Sequence, residues 1–234
     1  MPYFARLLLL CGILFSTSSL MGQEKPAAKP ADPKAEEAKD WKPLFDGKTI
    51  KGWKSINFGG EGEITIDKGS IVLGTGDPLT GIVIEKAEGL PKDNYELTLE
   101  ANRLEGEDFF CGLTFPVRDS HASFICGGWG GGLVGISSLD GMDASENTTT
   151  GYKKFESNKW YRIRVRVAGG KLQAFIDKEN FADVKIDDHK ISTRFEVDIT
   201  RPLGVSAYRT KSAIRDIKWR EVKEAEKVEE KKSE

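Results

Sequence analysis

The chain has 234 residues, and its 35 Lys and Arg against 37 Asp and Glu give a formal net charge of −2 at neutral pH. This balance excludes a protein that binds nucleic acid through an overall positive charge. Its 25 glycines, 12 phenylalanines and 5 tryptophans are typical of packed β-structure and exclude a chain that is disordered throughout.

The first segment, residues 1–22, is typical of a secretory signal peptide. Arg6 is followed by an apolar run from 7 to 15, which is shorter than the roughly 20 residues of a membrane-spanning helix. The pattern predicts export to the periplasm, the envelope or the medium, with no transmembrane span in the mature chain. A short N-terminal anchor is the alternative.

Two further segments are predicted to lie outside the folded part. Residues 23–40 contain three prolines and no aromatic residue, a composition typical of an extended linker. Residues 223–234 are almost all charged and are predicted to form a disordered tail. The folded part is therefore predicted to be a single domain over residues 41–222.

Within that domain the sequence predicts short β-strands. In 94–102 and 160–167, apolar and polar residues alternate, and this period of two places them on opposite faces of a strand. Turn residues at 67–69 and 168–170 separate neighbouring segments, and the second turn predicts a hairpin. A dozen strands without a helical pattern predict an all-β antiparallel sandwich or barrel. The other predicted strands are 63–67, 70–73, 81–85, 108–117, 121–127, 132–137, 171–176, 181–186, 202–208 and 212–221.

One of these strands carries three arginines on a single face, at Arg162, Arg164 and Arg166. A solvated outer face of the sheet explains the pattern, and a surface for anionic sugars or phosphate is the alternative. The neighbouring predicted strand places Lys171 and Gln173 at its outward positions. Because those positions are not uniformly basic, they favour the solvated face.

The glycine-rich segment 127–135 reads GGWGGGLVG, and Gly130, Gly132 and Gly135 match the spacing of a dinucleotide-binding motif. That motif requires a helix after the glycines, so that the helix N-terminus meets the pyrophosphate. A predicted strand follows here instead, which argues against nucleotide binding. Glycines in strands mark bends or the close approach of another group. A ligand-binding face around Trp129 and a packing requirement are the two interpretations.

The acidic segment 139–147 gathers oxygen-bearing side chains at Asp140, Asp143, Glu146 and Asn147. Oxygen ligands suit Ca²⁺ or Mg²⁺, so Asp140 and Asp143 are candidate ligands for a divalent cation. The spacing matches no EF-hand loop. Hydrogen bonding to sugar hydroxyls and a plain solvated loop are the alternatives.

The two histidines differ in their surroundings. His121 opens a predicted strand near the glycine-rich segment, so it is a candidate acid or base, with a structural hydrogen-bonding role as the alternative. His189 lies in a charged loop and is predicted to be solvated. Because Asp119, Ser120 and His121 are consecutive, they cannot form a Ser-His-Asp triad by themselves.

Two cysteines remain after the predicted signal peptide, at Cys111 and Cys126. If the strands 108–117 and 121–127 form a hairpin that turns at Arg118 and Asp119, the two cysteines lie opposite each other. Cysteines on neighbouring strands of an exported protein can form a disulfide. A disulfide and a pair of buried thiols are therefore the two hypotheses.

Residues 44–53 read LFDGKTIKGW. This segment is similar to the opening motif of the 3-keto-disaccharide hydrolase domain family, which the chain resembles. The likeness continues at 95–97, 160–161, 171–176 and 204–217. The resemblance implies a concanavalin A-like jelly-roll sandwich that acts on glycosides already oxidised at C3 of the sugar.

The chemistry implied by the resemblance is an elimination. A ketone at C3 acidifies the C2 proton, a base removes it, and the C1 substituent leaves; water then adds to the resulting 2-hydroxyglycal. We hypothesise that His121 is the acid or base, Arg118 the enolate partner, Glu146 a further catalytic carboxylate and Trp129 a stacking platform. The other predicted sugar-binding side chains are Asp140, Asp143 and Asn147.

The central motifs of the sequence differ from those of the family. Where many members carry a glutamate, this chain reads LVGISSLD at 133–140, and only Asp140 corresponds to the terminal acid of the motif. A non-catalytic carbohydrate-binding module is therefore the alternative function. A structural sandwich at the envelope is a third interpretation.

Overall fold

The computed structural model describes residues 40–222, which form two antiparallel β-sheets. The predicted signal peptide, the predicted tail and all of the predicted linker except Asp40 lie outside the described residues. The prediction of an antiparallel jelly-roll sandwich is confirmed. Within 40–222, no helix is both long enough and apolar enough to cross a membrane.

The described residues contribute fifteen strands to the two sheets. In chain order these are β1 (Lys42–Pro43), β2 (Trp53–Ser55), β3 (Ile64–Asp67), β4 (Ser70–Leu73), β5 (Leu79–Ile84), β6 (Tyr95–Glu105), β7 (Cys111–Val117), β8 (Ser120–Gly127), β9 (Leu133–Ser137), β10 (Gly151–Tyr152), β11 (Trp160–Ala168), β12 (Lys171–Ile176), β13 (Glu179–Lys185), β14 (Gly204–Tyr208) and β15 (Lys211–Glu221).

The first sheet has eight strands in the order β13-β12-β11-β6-β15-β4-β3, with β1 paired to β15. The second sheet has seven strands in the order β10-β9-β8-β7-β14-β5-β2. All twelve predicted strands are present, and the predicted hairpin is β11–β12. The three strands that the sequence analysis did not predict, β1, β2 and β10, have two or three residues each.

The core lies between the sheets and takes alternate residues from each strand. Leu97 and Leu99 of the first sheet and Phe115, Phe124 and Ile136 of the second are completely or almost completely buried in it. Burying each such side chain contributes about 1.5–3 kcal/mol. The period of two in the sequence therefore reports directly which face of each strand is apolar.

The arginine stripe on β11 lies on the outer face of the eight-stranded sheet, opposite acidic residues of β6. Arg162 donates to Glu100 at 2.7 Å, and Arg164 donates to Glu96 at 2.8 Å. Arg166 lies 3.8 Å from the same Glu96 carboxylate. The stripe is thus the basic half of an ion-pair network across the strands, and its charges are not all available to an anionic ligand.

The predicted register of the β7–β8 hairpin is confirmed, because Cys111 lies opposite Cys126. Both are buried thiols in the structure. Burial, reinforced by a hydrogen bond with Cys111, raises the pKa of the Cys126 thiol well above its ordinary value.

The outer face of the seven-stranded sheet carries a different set of side chains. On β8 and β9, Ser123, Ile125 and Ser137 alternate with the core residues of the same strands. The 3-10 helix Phe195–Thr200 packs over this face, where its Thr200 hydroxyl bonds the Thr114 hydroxyl at 2.7 Å. This helix is not predicted from the sequence, and its residues Glu196 and Val197 form one side of the candidate site.

Candidate functional site

A cavity of about 540 Å³ opens on the outer face of the seven-stranded sheet. This volume falls within the usual range for small-molecule sites. The cavity combines aromatic rings, three carboxylates, one guanidinium and two serine hydroxyls. Its lining residues are Pro78, Leu79, Asp108, Phe109, Ser123, Ile125, Trp129, Ser137, Asp143, Arg194, Glu196, Val197 and Tyr208.

Trp129 stands in a single helical turn, Gly128–Gly131, whose inner torsions are left-handed. Gly130 and Gly131 have positive φ angles of 84° and 99°, which glycine adopts without the steric cost of a side chain. The indole is 50% exposed and lines the cavity. The glycine-rich segment therefore forms the tight turn that presents Trp129 to the cavity.

Buried and half-buried groups hold this turn against the sheet. Arg103, which is buried, donates to the carbonyl oxygens of Gly131 at 3.3 Å and Phe155 at 2.8 Å. On the cavity side, the Gly130 N–H donates to Asp108 Oδ2 at 3.5 Å. The backbone of the turn that carries Trp129 is thus held by Arg103 on the protein side and by Asp108 on the cavity side.

Arg194 links two carboxylates on the opposite side of the cavity. Its Nη1 donates to Asp143 at 2.6 Å and its Nη2 donates to Glu196 at 2.8 Å. The hydrogen bond to Glu196 raises the pKa of Arg194, and the same bond lowers the pKa of Glu196. Asp143 also accepts from the Ser145 N–H at 2.8 Å. This wall therefore presents a guanidinium held between two carboxylates.

Asn147 shapes the acidic loop and does not line the cavity. Its side-chain nitrogen donates to the carbonyl oxygens of Ile136 and Asp143, both at 2.7 Å. Its side-chain oxygen accepts from the N–H and the hydroxyl of Thr149, at 2.9 and 2.6 Å. With both ends of its amide engaged inside the protein, Asn147 is a structural centre of the loop that carries Asp143.

The structure does not bring Arg118 or Glu146 to the cavity. Arg118 lies in the turn between β7 and β8, where it forms ion pairs with Asp93 and Asp187. The hydrogen bond to Asp187 raises the pKa of Arg118. Glu146 is exposed on the acidic loop and is not among the lining residues.

His121 lies on the same face of β8 as Ser123, at the end of the strand away from Trp129, and does not line the cavity either. Partial burial lowers the pKa of His121, and the positive charges of Arg201 and Lys92 lower it further. The three predicted catalytic side chains are therefore absent from the cavity wall, whereas Trp129 and Asp143 are part of it.

Asp140 and Asp143 face different partners in the structure. Asp140 Oδ2 bonds His189 Nδ1 at 2.7 Å, and Asp140 Oδ1 accepts from the Lys190 N–H at 2.7 Å. The bond to His189 lowers the pKa of Asp140. Among residues 40–222, no group of three or more His, Cys, Asp or Glu side chains is placed to hold a metal ion. A divalent cation at Asp140 and Asp143 stays a prediction.

Several residues of the cavity wall are not predicted from the sequence. Arg194 and Glu196 come from the start of the 3-10 helix Phe195–Thr200, a segment that carries no periodic signal, and Asp108 opens the predicted strand 108–117 but precedes β7 in the structure. Ser137 and Tyr208, in contrast, occupy outward positions of predicted strands, so their shared face follows from strand alternation once the sheet order is known. The sequence alone does not supply that order.

The fold and the cavity define a jelly-roll sandwich with an aromatic and charged site on the outer face of one sheet. Residues 40–220 match the model of the 3-keto-alpha-glucoside-1,2-lyase-like domain. The chain belongs to that family, and the predicted membership is confirmed. None of the curated proteins matches the chain significantly.

Solved structures share the fold at low sequence identity. A protein of unknown function with a galectin-like fold from Bacillus subtilis is 13% identical, with a TM-score of 0.56 over 79% of this chain and 96% of that one. A candidate glycosyl hydrolase from Parabacteroides distasonis is 14% identical, with a TM-score of 0.51 over 81% and 97%. A transglycosylase in complex with NAG is 10% identical, with a TM-score of 0.52 over 78% and 84%.

Proposed function

We propose that the protein cleaves 3-keto-glycosides, such as 3-keto-disaccharides, in the cavity on the seven-stranded sheet. Family membership suggests the substrate class. The observation that carries the proposal is the composition of the wall, where Trp129 and Tyr208 lie around the same cavity as Asp108 and Arg194. Aromatic rings offer a stacking face to a sugar ring, and the charged groups offer the acid–base and electrostatic chemistry of an elimination.

Asp108 is the carboxylate best placed to act as the base. Asp143 and Glu196 are both held by Arg194. Asp108 accepts at Oδ1 from the Phe109 N–H at 2.7 Å, and its Oδ2 accepts the 3.5 Å bond from Gly130. Oδ2 is therefore the most weakly engaged carboxylate oxygen of the cavity wall.

In this mechanism Asp108 removes the C2 proton, and the C–H electrons form the C2–C3 double bond of an enolate. The guanidinium of Arg194 stabilises the negative charge that develops on the C3 oxygen. The enolate then collapses, the C1–O bond breaks, and the leaving oxygen takes the proton from Asp108. Water adds to the 2-hydroxyglycal in a second step and gives the free 3-keto-sugar.

The experiment is incubation of the protein with a 3-keto-disaccharide while the 2-hydroxyglycal and the free 3-keto-sugar are quantified. We expect release by the wild type and a loss of about 10²–10⁴-fold in kcat for Asp108→Asn. Glu105→Gln is the matched control, because Glu105 is an exposed carboxylate that pairs with Lys211 on the other sheet. Equal activity of Asp108→Asn and the wild type would exclude Asp108 as the base.

A non-catalytic carbohydrate-binding module is the second candidate function. It is favoured by the pairing of Asp143 and Glu196 with Arg194, because such fixed charges bind sugar hydroxyls without taking part in proton transfer. Saturable binding of the 3-keto-disaccharide by the wild type, without any release of 3-keto-sugar, would favour this function.

We also propose that the chain is exported. The proposal is supported by the apolar run that follows Arg6 within residues 1–22. Expression of the full chain in a Gram-negative host, followed by fractionation and N-terminal sequencing of the mature protein, tests it. A mature chain that begins near residue 23 outside the cytoplasm is the expected result, and an uncleaved cytoplasmic chain would contradict it.

A further inference from the structure

Ser137 is a buried serine whose hydroxyl is unused by the protein. Its side chain is 2% exposed, it lines the cavity, and its Oγ has no hydrogen-bond partner among residues 40–222. The large majority of buried polar side-chain atoms have a partner. A buried, unpartnered hydroxyl in a cavity wall therefore points to a group that enters the cavity.

Ser123 lies directly opposite Ser137 on the neighbouring strand and also lines the cavity. Its hydroxyl bonds the Thr114 hydroxyl at 2.8 Å, and Thr114 bonds Thr200 at 2.7 Å. Thr200 in turn donates to the Val197 carbonyl oxygen at 2.5 Å. The same Thr200 hydroxyl is also the donor to Thr114, and either hydroxyl of the Ser123–Thr114 bond can be the donor.

These bonds determine what each serine can offer to a ligand. A hydroxyl has one proton and two lone pairs, so Ser123 keeps a lone pair for the cavity whichever hydroxyl donates in its bond with Thr114. The Ser137 hydroxyl is free both to donate and to accept. Side chains directly opposite on antiparallel strands have Cβ atoms about 4.5–5.5 Å apart, so one ligand oxygen can reach both hydroxyls.

We propose that Ser123 and Ser137 form a subsite for a sugar hydroxyl on the floor of the cavity. The ligand hydroxyl donates to Ser123 and accepts from Ser137. If the proposed function holds, on which this step rests, the oxidised C3 position faces Arg194 and Asp108, and an unoxidised hydroxyl of the substrate occupies the floor. Ser137 is then a residue that determines specificity.

The test compares Ser137→Ala with Ser212→Ala. Ser212 is a matched control, because its hydroxyl is also buried and unpartnered among the described residues, yet it lies on β15 in the other sheet. We expect Ser137→Ala to raise KM for a 3-keto-disaccharide about tenfold. Its Tm should stay unchanged or rise, because the mutation removes an unused buried hydroxyl. Ser212→Ala should leave KM unchanged.

Monodeoxy analogues of the 3-keto-disaccharide identify the hydroxyl. With the wild type, KM for one analogue should be about tenfold higher than KM for the parent sugar. With Ser137→Ala, KM for that analogue and KM for the parent sugar should be equal, which is the coupling expected of two groups in direct contact. An unchanged KM in Ser137→Ala, or full additivity with every analogue, would overturn the subsite. A lowered Tm with unchanged KM would also overturn it, and would indicate that a bound water satisfies Ser137.

Direct binding measurements by calorimetry with the same sugar separate this inference from the proposed function. If the wild type binds the 3-keto-disaccharide without cleaving it and Ser137→Ala weakens the binding, the subsite stands and the proposed reaction fails. If the wild type cleaves the sugar and Ser137→Ala changes neither KM nor Kd, the reaction stands and the subsite fails. If the wild type does not bind the sugar at all, both proposals fail.

Discussion

Arg194 donates to the carboxylate of Asp143 at 2.6 Å, although 51 positions separate the two residues in the sequence. The bond ties the acidic loop after β9 to the segment that precedes the 3-10 helix Phe195–Thr200. Glu196 holds the same guanidinium from the other side. One wall of the cavity therefore depends on a single arginine, which the proposed reaction also uses for the enolate.

Arg194→Gln should lower kcat/KM for a 3-keto-disaccharide by about 10²–10³-fold, because the developing oxyanion loses its positive partner. Initial rates of 3-keto-sugar release measure the effect. Arg162→Gln is the control, since Arg162 pairs with Glu100 on the outer face of the other sheet. Similar losses in both variants would contradict a specific role for Arg194.

Trp129→Ala should weaken sugar binding about tenfold, because the exposed indole supplies the stacking face and its loss removes about 1–2 kcal/mol. The stability of the fold should change little, since half of the indole is already exposed. Calorimetric titration with the 3-keto-disaccharide measures the affinity. Tyr152→Ala is the control, because Tyr152 is an exposed aromatic residue that does not line the cavity. Unchanged affinity in Trp129→Ala would exclude stacking on this ring.

The sequence predicts most of the fold because strand alternation is a local property. Core residues such as Leu97 and Leu99 recur every second position, and this pattern is present before any strand finds its partner. The same alternation places Cys111 opposite Cys126 once the turn is located. The short strands β1, β2 and β10 escape prediction because two or three residues are too few to display a period.

The sequence predicts less of the site, because the cavity wall is assembled from distant segments. Trp129 and Asp143 are candidates from the sequence alone, because each stands in a conspicuous local cluster. Arg194 comes from a segment without periodicity, and it becomes a site residue only through its contact with Asp143. His121 is a candidate by its residue type, yet its pKa depends on the charges of Lys92 and Arg201, which belong to other segments of the chain. Chemistry-bearing residue types alone do not determine which side chains meet.

Asn147→Ala should lower the free energy of unfolding by about 2–4 kcal/mol, because the side chain is 8% exposed and its hydrogen bonds hold the acidic loop. Denaturant titration followed by tryptophan fluorescence measures the change. Glu146→Ala is the control for stability, since the neighbouring Glu146 side chain is exposed. Equal stability of the Asn147 variant and the wild type would contradict the structural role of this residue.

Cys111 and Cys126 should titrate as two free thiols when the mature chain is unfolded without reductant. In the native protein they should react very slowly, because both are completely buried and the pKa of Cys126 is raised. A thiol reagent that absorbs on reaction measures both quantities, and a reduced sample gives the total. If no thiol titrates before reduction and two titrate afterwards, the pair forms the alternative disulfide.

His121 should make the fold less stable as the pH falls. Its pKa is lowered in the folded protein by burial and by the charges of Arg201 and Lys92. The unfolded chain therefore binds the proton more readily than the folded protein does. The contribution of His121 is complete above about pH 6.5, the ordinary histidine value. It is lost as the pH falls from there through the folded pKa.

His121→Gln should flatten the dependence of the unfolding midpoint on pH between about pH 7 and 5, as measured by denaturant titration at each pH. The NMR titration of the His121 ring provides the independent check, since its midpoint should lie below about 6.5. A midpoint above that value, together with a pH dependence that survives in His121→Gln, would show that the charges around His121 do not disfavour its protonation.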